Sequence, residues 1–167
     1  NDGRAGSLVL FYQKMNKVIL NYESAHFIDV LFMNENVVQW RFTGFYGYLN
    51  WNERNLSWDD IRNLHDKGDH PWIMLGDFNE ILTSYGKVGG ADRPQQYLAG
   101  FREALTTCGL QDIGFEGDMY TWRDHSKELR TYICERLDRA TANHEWCDMF
   151  PNYVVVNGEP RHSDHRP

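Results

Sequence analysis

The chain has 167 residues and a mass of 19.7 kDa, enough for one ordinary domain and too little for two. With 41% hydrophobic and 25% charged residues, and with six Trp, nine Tyr and nine Phe, the composition is globular and excludes a disordered chain. A net charge of −7 argues against a sequence-independent nucleic-acid binder, which is usually basic, yet leaves room for an enzyme that gathers carboxylates around a metal ion.

In chain order, three short apolar runs at 7–12, 17–22 and 27–33 are separated by turn formers and read as a strand meander. Asn34-Glu35-Asn36 predicts a tight hairpin turn into a longer strand at 37–46, where Val37, Gln39 and Arg41 alternate with Val38, Trp40 and Phe42. Near Trp51 the period changes: Trp58, Ile61, Leu64 and His65 fall at helical spacing. Asn52 or Ser57 is available as a cap, Asp59 and Asp60 suit the helix start, and Lys67-Gly68 suits its stop. The continuous apolar run 71–76 predicts a strand buried on both faces. A Gly-rich stretch at 83–94 leads into a second helix at 95–108, with Leu98, Phe101, Leu105 and Cys108 on one face and Gly109 as its stop. Strands at 119–123 and 131–137, a short helix at 143–149 and a strand at 153–156 complete a layered α/β domain.

No apolar run approaches the ~18 residues of a membrane span, so no membrane partner is expected. The start, Asn1-Asp2-Gly3-Arg4, carries no signal-peptide pattern. Three scattered cysteines (Cys108, Cys134, Cys147) fit a reducing, intracellular setting better than a disulfide framework. Arg123, Lys127, Arg130, Arg136, Arg139, Arg161 and Arg166 crowd the last third, as a solvated face or as a binding surface. Both ends read as cut, so residues 1–167 are expected to form part of a domain encoded in a longer reading frame.

Four segments carry candidate chemistry. Gly76-Asp77-Phe78-Asn79-Glu80 closes the apolar run; in an extended chain Asp77 and Asn79 share one side while Phe78 turns into the core. Asp77 is placed to accept a proton from water and Asn79 to hold that water or an oxyanion, although the same residues also make ordinary turns. Ser163-Asp164-His165 offers a carboxylate for a metal and an imidazole for a phosphate oxygen; His162 and His165 lack the second ligand pair of a zinc site. In Glu135-Arg136-Leu137-Asp138-Arg139, an Asp at a strand end suits the orienting partner of a catalytic His, and a surface ion-pair cluster is the alternative. Gly44-Phe45-Tyr46-Gly47 places a phenol at a strand end, where Tyr46 would by default be a core aromatic. The glycines Gly86, Gly89 and Gly90 are followed by no Gly-Lys-Ser/Thr, and no Gly-x-Ser-x-Gly occurs, which removes the phosphate-loop and serine-hydrolase readings.

Taken in this order, the four segments resemble the endonuclease/exonuclease/phosphatase superfamily, which implies a DNase-I-like four-layer α/β sandwich. Four stretches resemble, more closely, the endonuclease domain of plant LINE-type (non-LTR) retrotransposons. They are Trp40-Arg41-Phe42-Thr43-Gly44-Phe45-Tyr46-Gly47, Pro71 through Leu82 with its Gly-Asp-Phe-Asn-Glu, Tyr120-Thr121-Trp122, and Glu135-Arg136-Leu137-Asp138-Arg139-Ala140. The resemblance implies roles. Asp77 is the base toward the attacking water, Asn79 places that water, and His165, held by Asp138, meets a phosphate oxygen. Asp164 sits at the metal and Tyr46 hydrogen-bonds the scissile phosphate. It further implies Mg²⁺ (Mn²⁺ as substitute), a DNA substrate that is nicked on one strand, a reverse transcriptase region downstream, and a nuclear setting for an active parent element. Thr121 and Trp122 would lie on a DNA-facing strand.

The departures are as specific. The family's Asn and its principal metal-binding Glu, on its first two strands, would lie upstream of residue 1, and the strand after Ser-Asp-His would lie beyond residue 167. The sandwich would therefore be incomplete, with its first strands and last strand missing, and this chain would be inactive alone. Leu49 stands where Pro is common. Two other readings stay open: a non-catalytic transposon relic, and a phosphomonoesterase of the same superfamily acting on inositol phosphates or nucleotides.

Overall fold

The computed structural model describes residues 8–13, 17–124, 126, 132–160 and 162–167. Gly3, Ser7, Lys127, Arg130, Thr131 and Arg161, which figure in the sequence reading, lie outside them. The elements are β1 (Lys17–Glu23), β2 (Phe27–Asn34), β3 (Val37–Tyr46), α1 (Arg54–His65), β4 (Trp72–Asp77), β5 (Lys87–Val88), α2 (Gln95–Thr107), β6 (Gln111–Asp112), β7 (Glu116–Gly117), β8 (Trp122–Arg123), β9 (Cys134–Glu135), β10 (Asp138–Ala142), α3 (His144–Met149) and β11 (Val156–Asn157). A six-stranded sheet runs β1-β2-β3-β4-β10-β6, beside the small sheets β5-β9-β8 and β11-β7.

The β2–β3 hairpin of the meander closes on a turn that suits Asn36, while the pairing of the strands holds Glu35 in the left-handed region against its preference. Glu35 and Asn36 both take positive φ (47° and 72°) between the closing pair Asn34 and Val37, the two-residue loop whose twist matches an antiparallel hairpin. Antiparallel pairing then links β1, β2 and β3, whereas α1 carries the chain over the sheet so that β4 lies parallel to β3. Both long helices press apolar stripes onto one sheet face. Trp58, Ile61 and Leu64 of α1 and Phe101, Ala104 and Leu105 of α2 meet Phe45, Trp72 and Met74 in the main core. Trp58 stacks on Phe101 at 4.5 Å between ring centroids. On the opposite face, α3 sets Trp146 against Ile73 and Ala142, with Asn143 accepting the Trp146 N–H as the helix cap.

Several expectations are corrected. Residues 8–13 form no strand, and Val9, Phe11 and Tyr12 are exposed. Neither Asn52 nor Ser57 caps α1: Glu53 stands at its start, Ser57 lies buried within the helix and accepts the Tyr48 N–H, and no acid occupies the first turn. The run 71–76 is buried on both faces only in its first half, because α3 covers Ile73 and leaves Leu75 37% exposed. The expected strands at 119–123 and 153–156 shrink to β8 and β11. The interior strand β10, between β4 and the edge strand β6, was not expected at all. Its Ala140-Thr141-Ala142 segment lacks the large β-branched and aromatic residues that mark a strand, and it is held by neighbours on both sides. Arg41 faces inward. It is 1% exposed, and its Nε donates to Asp29 Oδ1 at 2.8 Å and its guanidinium to the Leu64 carbonyl at 2.7 Å.

Candidate active site

Three site residues form one row across three neighbouring strands. Tyr46 ends β3 opposite Asp77, which ends β4, and Asp77 stands opposite Asp138, the first residue of β10. Paired residues point to the same side of a sheet, here the side away from α1 and α2. The sequence put Asp138 at the end of a strand; it begins one. The backbone closes tightly here. A Cβ on Gly76 would lie 1.8 Å from the Phe45 carbonyl oxygen, and one on Gly47 would lie 2.4 Å from that of Phe78, so only glycine fits either position.

Asn79 joins the row by a route other than strand alternation. The strand has ended, and Asn79 takes a left-handed φ of 54°, its N–H donating to Asp77 Oδ1 at 2.8 Å in an Asx turn. Asparagine tolerates that conformation better than most residues. Its side-chain amide donates to the Gly47 carbonyl at 2.8 Å, tying the turn after β4 to the turn after β3. Phe78, fully buried against Phe45 and Phe101, anchors the turn from below, as the sequence led one to expect.

His165 arrives from the C-terminal segment. It bridges to Trp122 of β8, and its N–H is received by the Ser163 hydroxyl at 3.0 Å. The ring Nδ1 lies 2.9 Å from Asp138 Oδ2, and Nε2 lies 3.8 Å from Asp77 Oδ2. Asp164 accepts the Trp122 indole N–H at its Oδ2, 2.9 Å away. Tyr46, Asp77, Asn79, Asp138, Asp164 and His165 all line one open cleft of about 560 Å³.

The electrostatics follow from crowding acids beside one imidazole. Burial, then the charge of Asp138, raises the Asp77 carboxyl to about 6, against the pull of the Asn79 N–H, His165 and Arg54. For His165, burial favours the neutral ring, but the Asp138 hydrogen bond and the charges of Asp138, Asp77 and Asp164 outweigh it and raise the pKa. Burial and the nearby Asp77 charge raise Tyr46, which stays a neutral donor. Among the described residues, Asp77, Asp138 and His165 form a group whose ligand atoms lie within 4.8 Å of one another. Hard oxygen donors that repel one another, with an imidazole alongside, fit a divalent cation.

Thr121, expected to face DNA, is instead buried at 1% exposure. Its hydroxyl accepts the N–H groups of Leu137 and Asp138 at 3.0 and 2.9 Å, and so fixes the start of β10. Trp122 does face the cleft. The basic crowd is no solvated face where it is described. Arg136 and Arg139 pair with Asp112, and Arg123 and Arg166 with Asp118. Sequence reasoning missed Arg54, Arg93 and the fully buried Glu80 beside the cleft. Glu80 follows Asn79 directly, but only the fold shows that its partners lie 26 residues before it and at the head of α2.

The sequence matches the model of the Endonuclease/Exonuclease/phosphatase family over residues 4–165, and the chain belongs to that family. Its members are nucleases and phosphatases, hydrolases that generally work with a divalent metal. Among solved structures, the chain is similar to the endonuclease domain of TRAS1, a telomere-specific non-LTR retrotransposon. The TM-score is 0.68 at 20% identity, over 93% of this chain and 68% of that one. It is also similar to the 3′ phosphatase NExo from Neisseria, bound to a product DNA hairpin, with a TM-score of 0.58 at 17% identity over 89% of this chain and 67% of that one. Both likenesses show the DNase-I-like α/β fold. Among curated proteins there is no match. Among the described residues no helix is long and apolar enough to cross a membrane.

Proposed function

We propose that this chain is the endonuclease part of a retrotransposon-type protein and hydrolyses a DNA phosphodiester, nicking one strand, with Mg²⁺ or Mn²⁺. The observation that carries this reading is the row Tyr46, Asp77, Asp138, closed by His165 and Asn79 in a single cleft. It supports a reading in which a base, two donors and an oriented imidazole share one cleft and act on a single phosphate. Asp77 accepts the proton of the attacking water, for which a pKa of about 6 is well matched near neutral pH. The Asn79 amide and the Tyr46 hydroxyl donate toward phosphate oxygens. Asp138 holds His165 at Nδ1, leaving Nε2 to meet a non-bridging oxygen. Asp164, with Asp138, would hold the cation beside Asp77. Bound there, it would neutralise phosphate charge and stabilise the leaving oxygen.

The resemblance to the TRAS1 domain favours DNA over a small phosphomonoester, and the parent protein would carry a reverse transcriptase region downstream and work in the nucleus. The test is nicking of supercoiled plasmid by the protein as encoded, with Mg²⁺ and with EDTA. Asp77→Ala should lower the rate by about 10²–10⁴-fold, the usual worth of a general base; undiminished nicking removes the assignment. Phosphate release from inositol phosphates or nucleotides without nicking would identify a phosphatase, and neither activity would identify a relic.

A further inference from the structure

Beneath the cleft lies a buried ionic cluster to which nothing above gives a task. Glu80 is fully buried and lies between two guanidiniums that are almost as buried: Arg54 donates to its Oε2 at 3.2 Å, and Arg93 Nε lies 3.0 Å from its Oε1. The second arm of Arg54 donates to the Leu49 carbonyl at 3.2 Å. Arg93 continues to Glu135, which Lys87 also pairs.

Arg54 therefore spans two turns. Leu49 belongs to the turn after Tyr46, and Glu80 to the turn after Asn79. The same two turns are joined on the cleft side by the Asn79 amide on the Gly47 carbonyl and by the Gly47 N–H on the Asp77 carbonyl at 2.7 Å. A buried ion pair is seldom the best stabiliser, because apolar residues of equal volume usually serve a core as well or better. What the planar fork supplies, and apolar side chains cannot, is direction.

We propose that Arg54 and Glu80 are positioning residues that lock the Gly47–Leu49 and Asp77–Asn79 turns to one another, so that Tyr46, Asp77 and Asn79 meet the scissile phosphate in one geometry. The proposal rests on the nuclease reading for its catalytic consequence, but not for its structural one.

Two variants test it. Arg54→Lys keeps the charge but cannot reach two acceptors in a fork. Arg54→Met/Glu80→Gln removes both charges together, keeps an oxygen for the Ile81 N–H and Arg93 Nε, and leaves the Arg93–Glu135–Lys87 pairs in place. In the protein as encoded, each should keep its urea midpoint near the wild-type value while kcat for nicking falls about 10²-fold, the effect of misplacement by roughly 1 Å, with KM little changed. Amide exchange at Asn79 and Gly47 should accelerate about tenfold or more, with β2 and β4 still protected. Wild-type exchange at both amides overturns the proposal, and so does faster exchange with unchanged kcat. If the double variant does not fold, Arg54→Lys decides alone. If the wild-type protein does not nick DNA, the nuclease reading fails, and the exchange measurement still decides whether the turns are locked.

Discussion

Replacing Asp77 should make the protein more stable while, on the nuclease reading proposed above, disabling it. Asp77 is an acid held above its ordinary value: in the fold its pKa is about 6, against 3.8 for a free side chain. The native state therefore binds its proton more tightly than the unfolded state does. Between those two values stability falls as pH rises; above about 6 the whole penalty is present, and below about 4 it vanishes. The difference corresponds to about 3 kcal/mol at pH 8. Asp77→Asn keeps the oxygen that receives the Asn79 N–H and removes the charge that faces Asp138. In urea unfolding with EDTA present, the variant should exceed wild type by up to that amount at pH 8, and the gap should close as pH falls through 6 toward 4. A gap that is flat with pH, or a variant weaker than wild type at pH 8, would refute this account of the site.

Three further outcomes follow from the same geometry. Asp138→Asn should lower the midpoint at which the His165 ring titrates, read from its ring proton resonances, since the Asp138 bond and charge hold it up; an unmoved midpoint means another group does so. The stability that a raised histidine contributes is present below its free value of 6.5 and lost as pH rises through its folded one. Thr121→Val leaves the buried Leu137 N–H and the half-buried Asp138 N–H without their acceptor and should cost about 2 kcal/mol. Thr121→Ser should recover most of it, and equal midpoints for Val and Ser would show that the hydroxyl is idle. Adding Mn²⁺ should raise the melting temperature more at pH 8 than at pH 5, where Asp77 is protonated; a rise that ignores pH, or that survives Asp77→Asn unchanged, places the ion elsewhere.

The sequence was most legible where one residue type is nearly forced. Asn36 in its hairpin turn, the stop at Gly109, with its φ of 64°, and the glycines beside Tyr46 and Asp77 all mark positions that most other residues fill badly. The four site segments were readable as motifs, and the fold brings all of them to one cleft. Pairing was not readable. Nothing local announces that Arg41 should go inside, because its partner Asp29 lies on another strand. β10 is written in small residues whose strand character comes from β4 and β6. Thr121 looked like a surface residue because a lone threonine gives no hint that two amides elsewhere need its oxygen.

The placement of Asp138 opposite Asp77 has a consequence for errors of length. In that antiparallel ladder the next pair is Arg139 with Gly76. Removing or adding one residue within either strand would slide the rungs and turn the side chains beyond the change to the other face. The acids would part, and their mutual repulsion would disappear with them. Like charges set face to face disfavour the native pairing, so a slipped strand relieves a tension that the working enzyme must sustain. Copying errors that insert or delete a single codon in these strands would thus yield proteins that retain a sheet and lose the reaction at once, without passing through a weakened intermediate.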